Sequence, residues 1–160
     1  LVGSEMCIRD RNYNACRISE FLDLKKENVH LKEQYFDVVA AKTENGVRKV
    51  PIADKLLPFY EAWFERSPCE YLLCTTEGQH LDYFNYCDTY WDPLMEEYDM
   101  KHTPHDTRHT CISMMADAGV APTIQKKIAG HSGAMSLTER VYTHLDIQTL
   151  IDGINMICPL

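Results

Sequence analysis

The feature that most constrains the fold is a change of hydrophobic period near residue 53. Residues 28–52 are enriched in β-branched and aromatic side chains and predict short strands. Asn45-Gly46 predicts a two-residue hairpin turn between the last two strands, because both residues tolerate positive φ. From Ala53 onward, apolar residues recur at helical spacing. The pattern therefore predicts a mostly helical α+β fold with one small three-stranded antiparallel sheet.

The predicted elements follow one another as a helix, a small sheet and a series of helices. The first helix is predicted at 17–25, and the strands at 28–32, 35–41 and 47–52. The later helices are predicted at 53–66, 81–98, 104–118, 122–129, 137–144 and 146–157.

Composition narrows the class of protein. A chain of 160 residues with 45% hydrophobic and 25% charged residues is typical of one globular domain. No apolar run approaches the roughly 18–20 residues that span a bilayer. The seven cysteines are scattered without zinc-ligand spacing, and Cys69 and Cys74 are the closest pair. We therefore expect reduced thiols in a cytosolic protein rather than a metal site.

The net charge of −8 argues against a nucleic-acid partner, because phosphate contacts usually require a basic surface. A total charge does not describe its distribution, however, and a few cations on one face are compatible with an acidic remainder.

Arg17 stands at an unusual position in the first predicted helix. It shares a stripe with Phe21 and Leu24, at i, i+4 and i+7, which predicts that it faces the core. The alternative is a surface arginine at the start of a helix, with its aliphatic stem against the protein.

The segment from Thr103 to Arg108 predicts an anion site. Thr103-Pro104 is typical of a helix start, and His105 and Arg108 then lie three residues apart on one face. We expect both side chains to point into the structure. Free N–H groups at a helix N-terminus favour a bound anion. In the alternative interpretation, His105 caps the helix locally and Arg108 pairs with a carboxylate.

Two further residues of interest follow. Gly130 predicts a left-handed cap just before His131, and a capping box at 136–139 opens the short helix that contains Tyr142. Taken alone, His131 and Tyr142 are each more typical of a core or surface aromatic residue than of a catalytic group.

Four segments in register resemble the signatures of the tyrosine recombinase, or phage integrase, family. They are R-I-S-E-F-L-D-L-K at 17–25, A-K-T-E-N-G-V-R-K-V-P-I at 41–52, H-D-T-R-H-T at 105–110, and G-H-S-G with T-x-x-x-Y-T-H at 130–144. Asn14-Ala15-Cys16 departs from the usual T-G-x before the first arginine, and Thr107 replaces a common leucine.

The resemblance implies a catalytic set. The six residues are Arg17, Lys42, His105, Arg108, His131 and Tyr142. The two arginines would hold the scissile phosphate, the histidines would donate hydrogen bonds or manage a proton, and Lys42 would protonate the leaving 5′ oxygen. Tyr142 would be the nucleophile that forms a 3′-phosphotyrosine.

The activity implied by this resemblance is site-specific recombination or integration of double-stranded DNA by a homo-tetramer. It would need no metal, no ATP and no small-molecule cofactor, and it would act in the cytoplasm of a prokaryote on mobile-element DNA. The alternative is an inactive fragment or relic that only binds DNA or partner protomers. Type IB topoisomerases share the chemistry, but the compact H-x-x-R and G-H spacing resembles the recombinases.

Residues 1–11 differ in origin from the rest of the chain in our interpretation. LVGSEMCIRD-R, residues 1–11, resembles the translation of a transposon-end adapter used in sequencing libraries, and the alternative is a genuine N-terminal loop. We expect residues 1–11 to be adapter-derived and 12–160 to be a recombinase catalytic domain that lacks an upstream DNA-clamping domain.

Overall fold

The computed structural model describes residues 13–39, 46–130 and 145–157. The helices are α1 (Ile18–Leu22), α2 (Leu57–Arg66), α3 (Tyr83–Tyr86), α4 (Asp92–Glu97), α5 (Pro104–Asp117), α6 (Pro122–Ala129) and α7 (Ile147–Asn155). The strands are β1 (Val29–His30), β2 (Tyr35–Val38) and β3 (Arg48–Pro51). The prediction of a mostly helical α+β fold with a small antiparallel sheet is confirmed. The helix predicted at 137–144 lies outside the described residues.

The sheet has the order β1-β2-β3, and both strand pairs are antiparallel. Phe36 pairs with both Val29 and Val50, and all three are buried. The strands are shorter than predicted, and Asn45 of the predicted Asn45-Gly46 turn lies outside the described residues. The pairing of β2 with β3 is the one that a hairpin connection requires.

α1 ends at Leu22, earlier than the predicted helix. The chain then turns into an extended segment, because Leu24 and Lys26 form backbone hydrogen bonds with a distant segment. The amide of Leu72 donates to the Leu24 carbonyl, and that of Lys26 donates to Glu70, both at 2.8 Å. This pairing replaces the last turn of the predicted helix.

The helix predicted at 81–98 is divided by a π-helical turn at Cys87–Trp91. Residues five apart lie on opposite sides of an α-helix but are brought onto the same side by a π turn. Tyr86 and Trp91 are accordingly both buried. The Trp91 indole N–H donates to the carbonyl of His102 at 2.7 Å, which ties this helix to the segment before α5.

An aromatic cluster fills the core between α1, the sheet and α2. Phe21 contacts Phe36, Tyr60 and Trp63 with ring centroids 6.1–6.4 Å apart. These rings come from three elements, so burying them fixes α1 and α2 against the sheet.

α7 packs on its own domain. Leu150, Ile151 and Ile154 are buried, and Gly153 approaches α6 so closely that an added Cβ would lie 2.8 Å from Ile124. The ammonium group of Lys55 donates to the carbonyl of Ile157 at 3.0 Å. Within the described residues, no helix is both long and apolar enough to cross a membrane.

Candidate active site

Arg108 is the most deeply buried cation of the candidate site. It lies on α5 with 2% of its surface exposed. Its Nη1 donates to the carbonyl of Ala15 at 2.6 Å, and its Nη2 donates to the carbonyl of Ala129 at 2.7 Å. The prediction that Arg108 points into the structure is met, and main-chain oxygens hold it rather than the carboxylate of the alternative interpretation.

The hydrogen bonds to the two carbonyls stabilise the positive charge of Arg108, whereas its burial and two neighbouring arginines destabilise that charge. Burial, followed by the charges of Arg17 and Arg48, lowers the pKa of Arg108 to about 10, while Glu20 acts in the opposite direction. The guanidinium is still protonated at neutral pH. The charges of Arg17 and Arg48 contribute to the lowered pKa because like charges repel.

Arg17 does not lie in the core as its stripe predicted. Phe21 and Leu24 are buried, but the Arg17 side chain is 43% exposed. Arg17 precedes the first residue of α1, so its side chain leaves the helix at the surface. Its Nη1 contacts Glu20 Oε1 at 2.8 Å, and its amide donates to Glu20 Oε2 at 3.0 Å.

Glu20 holds two arginines at once. Its carboxylate also accepts from Arg48 Nη2 at 3.0 Å, and the Glu20 and Arg48 side chains are only 5% and 2% exposed. Burial acts to raise the pKa of Glu20, but the hydrogen bond and charge of Arg48, together with hydrogen bonds from Arg17, lower it to about 2. Glu20 is therefore an anion at neutral pH and lies between two cations.

The C-terminus of α6 joins these groups. The carbonyl of Ile128 accepts from Arg48 Nε at 2.9 Å, next to the Ala129 carbonyl that accepts from Arg108. The negative end of a helix dipole favours both cations. Gly130 then adopts φ +69°, as the predicted left-handed cap requires, and an added Cβ would lie 2.9 Å from Arg48.

We call Arg17, Arg48 and Arg108, with Glu20, the guanidinium cluster. It brings together segments that are far apart in the sequence and carries three positive charges against one negative charge. Arg17 is half-exposed, and arginine has more N–H donors than these contacts use. The arrangement is therefore suited to binding an anion such as a phosphate group.

Ala15 shows the effect of the departure from T-G-x. It stands at the position of the glycine in that pattern and adopts φ +50°, which strains a residue with a Cβ. The side chain of Asn14 accepts from the Cys16 amide at 2.9 Å and supports this turn. The strained turn presents the Ala15 carbonyl to Arg108.

His105 lies in the first turn of α5 and is exposed, unlike Arg108 one turn later. The prediction that both side chains point inward is therefore wrong for His105. The helix begins at Pro104 as predicted, and the Asp106 carboxylate accepts from the amide of Thr103 at 2.7 Å. The His105 ring contacts His109 with centroids 4.8 Å apart.

Lys42, His131 and Tyr142 lie outside the described residues. His131 directly follows Gly130, which abuts the guanidinium cluster. Within the described ranges there is no group of three or more His, Cys, Asp or Glu side chains arranged to hold a metal ion.

The sequence analysis did not predict Glu20 and Arg48 as members of the site, although both lie within segments that resemble the family signatures. A signal was available for Arg48. It lies two residues before Val50 on β3, so the alternation of a strand places a charged side chain on the buried face. Its partner Glu20 is 28 residues away in the sequence, and no local pattern links the two.

Comparison with known proteins identifies the family. The profile of the Phage integrase family matches residues 12–149, which is most of the chain. This chain belongs to the phage integrase family. The Arg17, Glu20, Arg48 and Arg108 cluster described above lies within the matched range.

The chain also resembles characterised proteins in sequence and in fold. The chain is 29% identical over 139 residues to the tyrosine recombinase XerA of Thermococcus onnurineus, covering 84% of this chain and 48% of the relative. Among solved structures, the Tn1549 transposon integrase in complex with transposon right end DNA has a TM-score of 0.71 at 21% identity, covering 90% of this chain and 55% of that one. The integrase from mycobacterium phage Brujita has a TM-score of 0.73 at 17% identity, covering 97% and 51%. These two structural likenesses establish the fold, and the chain spans about half the length of each relative.

Proposed function

We propose that this chain is the catalytic part of a site-specific DNA recombinase that cuts and rejoins duplex DNA through a 3′-phosphotyrosine at Tyr142. The observation that carries the proposal is the guanidinium cluster, in which Arg108 donates to the carbonyl of Ala15, two residues before Arg17. Family membership supports the same reaction class.

The proposed reaction begins at a phosphodiester bound by Arg17 and Arg108. The phenolic oxygen of Tyr142, after losing its proton, attacks the phosphorus and displaces the 5′ oxygen of the DNA. Lys42 gives that oxygen its proton, and His105 and His131 donate hydrogen bonds or take up the tyrosine proton. A 5′ hydroxyl of another strand reverses the same steps, so the bond is conserved without ATP.

Glu20 and Arg48 have a supporting role in this proposal. Glu20 orients the half-exposed Arg17, and Arg48 compensates the buried negative charge of Glu20. Holding a phosphate-binding arginine in place before the substrate arrives lowers the entropic cost of reaching the transition state.

The partners follow from the same proposal. The substrate is double-stranded DNA of a mobile element, and a homo-tetramer would bring two sites together in the prokaryotic cytoplasm. The Tn1549 transposon integrase was solved in complex with transposon right end DNA, which supports a DNA partner. The overall charge of −8 then requires the cations to be concentrated at the DNA face.

Covalent capture of a nicked suicide DNA substrate tests the proposal. The wild-type chain should yield a protein–DNA adduct on a denaturing gel, and Tyr142→Phe should yield none because it lacks the attacking oxygen. EDTA should leave the yield unchanged. Capture that survives in Tyr142→Phe would assign the nucleophile elsewhere.

The alternative is an inactive fragment that only binds DNA or partner protomers. A gel-shift measurement on the same substrate separates the two. If the wild-type chain binds the duplex but forms no adduct over the full time course, the alternative is favoured.

A further inference from the structure

We propose that Cys69 and Cys74 form a reversible oxidation site, in which a low-molecular-weight disulfide such as oxidised glutathione converts the two thiols into one intramolecular disulfide. Both residues lie in the segment between α2 and α3, and both are free thiols with intermediate exposure. The site is remote in sequence from the recombinase motifs and does not depend on the proposed function.

The two sulfur atoms converge on one hydroxyl group. Ser67 Oγ lies 3.7 Å from Cys69 Sγ and 3.4 Å from Cys74 Sγ. Because both sulfur atoms lie close to the same oxygen atom, the two thiols are near neighbours. The structure therefore places two reduced thiols side by side, within reach of solvent.

The two thiols differ in reactivity. Burial acts to raise the pKa of Cys69, but hydrogen bonds from Cys74, the Tyr71 amide and Ser67, together with the charge of Lys26, outweigh it and lower that pKa. Burial and the neighbouring Cys69 raise the pKa of Cys74. Cys69 is thus suited to attack first and Cys74 to respond, because the thiolate is the nucleophilic form.

Backbone hydrogen bonds hold the segment that carries the pair in place. Leu72 lies between the two cysteines, is fully buried, and donates its amide to the Leu24 carbonyl at 2.8 Å. The Glu70 carbonyl accepts from the Lys26 amide at 2.8 Å. The ammonium group of Lys26 also donates to the Ser67 carbonyl at 2.6 Å, which keeps a positive charge beside Cys69.

The proposed exchange is balanced. The Cys69 thiolate attacks one sulfur of the small disulfide and expels one small thiolate, which leaves a mixed disulfide on Cys69. Cys74 then gives its proton to solvent and attacks Cys69 Sγ, expelling the second small thiolate. Both expelled thiolates take up a proton from solvent. Two protein thiols are oxidised, and one small disulfide is reduced to two thiols.

Oxidation of the intact chain with oxidised glutathione, followed by peptide mapping without reductant, tests the proposal. Cleavage after Glu70 and Glu77 places Cys69, Cys74 and Cys87 in three separate peptides. We expect peptides 66–70 and 71–77 to be joined with the loss of two hydrogens, and dithiothreitol to separate them. Cys69 should react about tenfold faster than Cys87 at neutral pH.

Serine variants distinguish the two roles. Cys74→Ser should stop at the mixed disulfide on Cys69, and Cys69→Ser should slow modification of Cys74 because the activated thiol is gone. Cys87→Ser is the matched control and should give the same joined peptides as wild type. The proposal is overturned if wild-type Cys69 reacts no faster than Cys87, or if it reacts fully without becoming joined to Cys74.

Discussion

The guanidinium cluster and the beginning of α5 are two parts of the candidate active site that differ in burial and in the length of their contacts along the sequence. The guanidinium cluster is largely buried, and main-chain carbonyls and a shared carboxylate hold its arginines from distant parts of the chain. The beginning of α5 instead carries exposed histidines with local contacts, such as His105 against His109 and His102 at 3.9 Å from Asp106. Substitutions in the cluster should therefore affect both folding and catalysis, whereas substitution of the exposed His105 should affect catalysis alone.

Arg108→Ala should have the largest effect. It leaves the Ala15 and Ala129 carbonyls without their charged donor in a buried site. We expect the free energy of unfolding to fall by about 3 kcal/mol and covalent DNA capture to fall by about 10²-fold or more. Urea unfolding and the capture assay measure the two effects. Full stability in this variant would contradict the expectation that the guanidinium cluster contributes to folding.

Glu20→Gln should have the second-largest effect on stability, because it leaves Arg48 buried without a counter-charge. The folded pKa of Glu20, about 2, lies below its ordinary value of 4.5. Its ionisation therefore stabilises the folded state above pH 4.5, by about 3 kcal/mol, and this contribution is lost as the pH falls toward 2.

Urea unfolding of wild type and Glu20→Gln across this pH range measures the effect. The difference in stability should be largest near neutral pH and should narrow below pH 4.5. A difference that stays constant with pH would contradict the assignment of Glu20 as a buried anion.

Gly130→Ala should have an intermediate effect and has a matched control in Gly119→Ala. Both glycines have positive φ, so alanine is strained at either position by about 1–2 kcal/mol. Only Gly130 abuts Arg48, whereas nothing lies within 4 Å of a Cβ at Gly119. Thermal unfolding should show a larger loss for Gly130→Ala, and equal losses would mean that Arg48 moves away without cost.

His105→Ala should have the smallest effect on folding. Because the side chain is exposed, we expect the stability to change by less than about 0.5 kcal/mol. Covalent capture should nevertheless fall by about 10²-fold, since the proposed role of His105 is at the phosphate. His102→Ala is the exposed control and should retain capture, and a similar loss in both variants would remove His105 from the proposed catalytic set.

The parts of the fold that the sequence predicts well depend on neighbouring residues. One or two adjacent residues are enough to predict the start of α5 at Thr103-Pro104 and the left-handed cap at Gly130. The structure has both features. The pairing of β2 with β3 follows in the same way from the alternating pattern around a turn signal.

The missed features depend on contacts between distant segments. The early end of α1 follows from pairing of Leu24 with Leu72, and the position of Arg48 follows from Glu20 and Ile128. The exposure of Arg17 follows from its place just before α1, where a helical stripe no longer applies. The roles of Lys42, His131 and Tyr142 remain predictions.

The carbonyl oxygens of Ile128 and Ala129 have a consequence for how such a site can change over time. An oxygen of the peptide backbone is present whatever side chain the residue carries, so exchanges at these two positions cannot delete the acceptors. They can only shift them, by altering the path of the last turn of α6. Arg48 and Arg108, which donate to these oxygens, have no such protection. In a library selected for recombination, we therefore expect apolar replacements of similar size to be tolerated at the buried positions 128 and 129, and replacements at 48 and 108 not to be tolerated.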